Sequence, residues 1–102
     1  MKYQLVLQFE ADTADDFDQL VALEGKLIEQ LGSNATIDGH DFGQSEFNIF
    51  ILTDQPAMVF EKAHRIIRDQ QLQQGMRAAY REPTGGEYMI LWPATLTEFS
   101  VI

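Results

Sequence analysis

Tyr3, Leu5, Leu7 and Phe9 alternate with Gln4, Val6, Gln8 and Glu10, a hydrophobic period of two that leaves an extended strand with one strongly apolar face. The period then changes. Over about residues 13–31, Phe17, Leu20, Val21, Leu27, Ile28 and Leu31 fall on one stripe at a helical 100° per residue. Thr13 with Asp16 three residues on predicts a capped start, and Gly32-Ser33-Asn34 ends the helix. Two extended segments follow, Ala35 to Phe42 and Ser45 to Thr53, joined at Gly43-Gln44. Asp54-Gln55-Pro56 supplies a cap and an early proline for a second helix, with Val59, Phe60, Ala63, Ile66 and Ile67 as its buried stripe. On its wet face, Glu61 to Arg65 and Arg65 to Asp69 have the i,i+4 spacing of pairs worth about 0.2–0.5 kcal/mol each. Met76 to Arg81 and Tyr88 to Trp92 read as fourth and fifth strands around a turn at residues 82–87, and Pro93 ends the fifth. The tail, Ala94 to Ile102, ends in Phe99-Ser100-Val101-Ile102 and is expected to lie on the body.

This order predicts one α+β domain over residues 1–102: an antiparallel sheet, two helices on one of its faces, and a C-terminal hairpin strand. In element order the chain resembles the ferredoxin-like α/β sandwich over essentially its whole length. ACT-type amino-acid sensors and dimeric α+β-barrel proteins have the same element order, and the comparison implies a homodimer. Many unrelated functions sit on this fold, so function has to be argued from sites.

With no cysteine, disulfides, thiolate nucleophiles and cysteine-ligated metals are excluded. The glutamines inside the first apolar run argue against a signal peptide, and no segment has the roughly 18–20 apolar residues that span a bilayer, so a cytoplasmic protein away from membranes is expected. A net charge of −9 disfavours nucleic acid at long range and suits a basic protein partner or plain solubility. The charge is uneven, with net −5 over residues 1–31 and +3 over residues 59–81. Lys62, Arg65, Arg68, Arg77 and Arg81 therefore form a candidate anion site, although no surface aromatic is interleaved with them.

The densest polar cluster runs from Asp38 through Gly39, His40, Asp41 and Gly43 to Glu46, where acid, base or ligand chemistry has its residues. One histidine and a spacing unlike a calcium loop leave neither metal nor cofactor implied, and a polar hairpin end accounts for the run. Glu24 falls inside the apolar stripe of the first helix, between Leu20, Leu27 and Ile28. A carboxylate there is a candidate general acid/base or ligand hook facing the sheet, or else it reaches the rim or pairs with an arginine or tyrosine. His64 borders the second helix's apolar stripe, as a packing imidazole does. Val6, Phe50 and Ala79 belong to the sheet face away from the helices, shared with Arg77, Arg81 and either His40 or Asp41 according to register. Trp92, Tyr88, Tyr80 and Phe50 are candidates to line a pocket. A mixed apolar and charged surface of this sort reads as an interface.

The leading expectation is a non-enzymatic binding or regulatory module that self-associates, or meets a protein partner, through the open sheet face. Two alternatives stand beside it. One is an acidic inhibitor or immunity-type protein docking a basic partner through Asp12, Asp15, Asp16 and Asp18. The other is a small barrel-monooxygenase-like enzyme with a pocket of His40, Phe50, Tyr80 and Trp92.

Overall fold

The structure is a computed structural model and describes residues 2–101, so Met1 and Ile102 lie outside the described residues. Its elements are β1 (Tyr3–Glu10), α1 (Ala14–Gln30), β2 (Thr36–Gly43), β3 (Glu46–Thr53), α2 (Pro56–Asp69), β4 (Arg77–Glu82) and β5 (Gly85–Trp92), with a 3₁₀ turn at Gly32–Asn34. All pairings are antiparallel, and the five strands lie in the order β2-β3-β1-β4-β5. The architecture is α+β. Among the described residues no helix is long and apolar enough to cross a membrane.

The start of α1 follows the predicted capping box. Asp16 N–H donates to Thr13 Oγ1 at 3.1 Å, and Asp16 Oδ2 accepts from the Thr13 and Asp12 amides at 3.3 and 3.0 Å. The start of α2 departs from expectation. Asp54 does not cap it; its Oδ1 accepts from the Lys2 amide at 2.8 Å, and the N-cap Gln55 makes no side-chain cap bond. Buried Thr53 organises this corner instead, donating to Asn34 O at 2.7 Å and accepting from Gln55 N–H at 3.0 Å. Pro56 still occupies the first turn, where its missing N–H costs nothing.

Register assigns the faces. Leu5 pairs with Ile51 and Tyr80, Leu7 with Ile49 and Ala78, and Phe9 with Phe47. These side chains form one buried cluster with Leu20, Leu23, Leu27 and Leu31 from α1 and its C-cap, and with Val59, Phe60, Ala63, Ile66 and Ile67 of α2. The expected stripe of α1 is therefore shifted: Leu23 is buried, while Val21 is exposed and Ile28 is 60% exposed. The apolar arc of α1 is wider than one contact can cover, and the leucine side of it enters the core.

Smaller differences have local causes. The β2–β3 hairpin turns at Gln44-Ser45, with φ of 51° and 63°, one residue later than Gly43-Gln44. Both central residues take the positive φ that matches a two-residue turn to strand twist. β5 begins at Gly85, three residues before the expected Tyr88, because Glu82 already pairs with Gly85. The only ion pairs among the described residues are Glu24–His40 and Glu46–Arg77, so neither i,i+4 pair expected on α2 forms.

Candidate functional site

The even-numbered residues of β1 lie on the other side of the sheet. There Val6 pairs with Phe50 and Ala79, Gln8 with Asn48 and Arg77, and Gln4 with Arg81. Asp41 pairs with Asn48 and joins this face, which resolves the choice between His40 and Asp41 in favour of Asp41. The face is partly closed. Gln8 Nε2 donates to Asn48 Oδ1 at 3.0 Å and to the tail carbonyl of Ser100 at 2.9 Å, and Phe99 packs edge-on against Tyr88 at 4.8 Å. Val6, Gln8, Asn48 and Ala79 are all buried, Gln8 at 1% exposure and Asn48 at 2%. A donor at that depth must be satisfied internally, and the Gln8 amide finds its acceptors in Asn48, the tail and, at 3.4 Å, Glu46 Oε1.

A cleft of about 720 Å³ remains between β4–β5 and the tail, lined in part by Glu46, Arg77, Glu87, Tyr88 and Phe99. Arg77 is tied to Glu46 at 3.1 Å, and the Arg81 guanidinium sits 4.3 Å from the Tyr88 ring centroid. The five-cation anion site is therefore divided: Arg77 and Arg81 lie on the face away from the helices, Lys62, Arg65 and Arg68 on α2.

The Asp38–Glu46 cluster is divided as well. A bulge between Ile37 and Gly39 leaves Asp38 as the extra, exposed residue and pairs His40 with Ile49, a helix-side position. His40 then stacks on Phe47 at 4.7 Å, meets Phe17 edge-on at 6.0 Å, and places Nδ1 2.9 Å from Glu24 Oε1. A carboxylate only accepts, so the contact selects the Nδ1–H tautomer. Glu24 thus pairs with a histidine, not with the arginine or tyrosine expected. Glu46, facing the opposite way, serves Arg77. Among the described residues no three His, Asp or Glu side chains converge to hold a metal.

The pocket of His40, Phe50, Tyr80 and Trp92 is not assembled. Phe50 is on the tail side, His40 at the β2 edge on the helix side, Tyr80 against Tyr3 at 5.3 Å, and Trp92 beside His64 at 4.7 Å.

One region was only half visible in the sequence. α1 contacts β2 and β3, which brings together residues 10–46. These hold ten acidic side chains and one lysine, and so carry the entire net charge of −9; the remainder of the chain is balanced at six of each sign. Within this acidic side lies a largely apolar hollow of about 500 Å³ lined by Asp12, Thr13, Ala14, Phe17, Asp18 and Phe42. Phe17 and Phe42 meet edge-on at 5.2 Å, and Phe42 is 45% exposed. The acids from Asp12 to Asp18 gave the charge away; Phe42, distant in sequence, gave no signal.

The chain matches no described protein family and none of the curated proteins. Among solved structures it is similar to the de novo designed protein Foldit4, at a TM-score of 0.51 and 11% identity, over 84% of this chain and 100% of that one. At that identity the likeness is one of fold alone.

Proposed function

We propose that the protein is a binding module for a basic protein partner, docked on the side formed by α1 and β2. The hollow carries this reading: aromatic walls from Phe17 and Phe42 with carboxylates of Asp12 and Asp18 at the rim. Such a site suits a lysine or arginine whose alkyl stem lies on the rings while its charge reaches the acids. The surrounding excess of negative charge steers a basic partner and repels a second copy of this chain. Self-association through the opposite sheet face would have to displace residues 97–101, so a second copy is the weaker choice of partner.

Panning random peptides against the protein tests the reading. Enriched sequences should interleave Lys or Arg with apolar residues. They should lose binding to a D12N/D18N/F42S variant that unfolds like the parent, and weaken steeply with salt. Peptides that bind the triple variant equally well overturn it.

The same proposal takes the chain as a single cytoplasmic domain of ferredoxin-like type with one added strand. The adjacency of β4, β1, β3 and β2 and the sharing of one core by both helices support the fold. The lack of cysteine suits a reducing compartment.

A further inference from the structure

We infer that a second site, at the β5 edge of the sheet, binds a mononucleotide, with its base against Trp92 and its phosphate on Arg65 and Arg68. The cleft there measures about 380 Å³, within the range of small-molecule sites, and is lined by Phe60, Glu61, His64, Arg65, Arg68 and Trp92. It joins two features that are far apart in sequence. Positions 61, 64, 65 and 68 share one face of α2, and the sheet brings Trp92 to that face from β5. The fold thereby supplies the aromatic that the basic run lacks locally.

Each part fits a planar base linked to a phosphate. Trp92 is 38% exposed, and its ring borders the cleft in a series with His64 and Phe60, whose rings stack at 5.1 Å. Burial, aided by the Arg68 charge, lowers the His64 pKa, so the imidazole is a neutral flat ring at neutral pH. Arg65 and Arg68 are exposed and have no ion-pair partner among the described residues, which leaves both guanidinium forks available. Two forks one turn apart match a dianionic phosphate better than a single carboxylate, which one arginine already saturates. Glu61 is the opposing charge at the same cleft. A longer nucleic acid is disfavoured, because the cleft offers two cations on a chain of net charge −9.

Trp92 is the single tryptophan, so its fluorescence reports this cleft alone. Titration with adenosine monophosphate, excited at the red edge where adenine does not absorb, should give saturable quenching. Ribose 5-phosphate, read by displacement of the nucleotide, and adenosine should each bind at least about tenfold more weakly, since each lacks one half of the match. The R65Q/R68Q variant, with unchanged circular dichroism, should lose at least about tenfold in affinity, and Glu61→Gln should gain. Linear, unsaturable quenching overturns the inference. So do equal affinities for adenosine and its monophosphate, an unaffected double variant, or a single-stranded oligonucleotide that binds more tightly than the monomer.

Discussion

His40 fastens α1 to the outermost strand of the sheet with one ring, which stacks on Phe47 and meets the Glu24 carboxylate. Glu24 Oε2 is buried with no partner, so that carboxylate depends on the histidine for the one bond it has. His40→Ala should therefore destabilise by about 1–3 kcal/mol in urea denaturation, the cost of leaving a desolvated group unpaired. A second variant, E24L/H40L, should recover most of the loss, since apolar replacement of both partners removes the unmet group; a double variant as unstable as H40A contradicts this account. Asp16 works at the surface. Its pKa is held below the ordinary carboxylate value, first by the Asp12 amide and then by Thr13. A folded-state value below the unfolded one stabilises at neutral pH and ceases to do so as pH falls through the folded value. Fraying of α1, read as amide-exchange protection factors so that the intrinsic pH dependence of exchange is divided out, should accordingly rise in strong acid in the parent, and should rise less in Asp16→Asn.

At the scale of elements, apolar patterning made the two α-helices and five strands legible, even though β1, β3 and β4 bury residues on both of their faces. What the patterning could not convey was phase. Gly39, at φ 122°, carries the bulge that makes Asp38 an extra residue, and this one step turns His40 toward the helices and Asp41 away. An alternating reading of Asp38 to Glu46 therefore sees one polar cluster where the sheet has two unrelated contacts. Glu24 looked misplaced for the same reason, since its partner is sixteen residues away on a bulged strand. Gly39→Ala isolates the effect: no atom lies within 4 Å of an added Cβ, so any cost is conformational. Destabilisation of about 1–3 kcal/mol is expected, with loss of the His40 ring shifts in NMR. A stability equal to that of the parent would remove the bulge as their cause.

For the whole molecule, the tail is an integral part of the sheet's second face. Val6, Ala79, Gln8 and Asn48 are buried on the face the tail crosses, and the Ser100 carbonyl satisfies the Gln8 amide. A chain ending at Ala94 should melt at lower temperature and sediment as a concentration-dependent oligomer, because an apolar strip with unmet amides seeks another cover. A truncated chain that stays monomeric with an unchanged melting point would show that residues 95–102 shield nothing. The charge has a different reach. The acidic side belongs to the β2 edge of the sheet, and the arginine cleft beside Trp92 to the β5 edge. The protein is thus a permanent electric dipole laid across its sheet. Adsorbed on a cationic bead or electrode, every copy will settle with the same side down and hold its tryptophan toward the liquid, an oriented layer obtained without any tag.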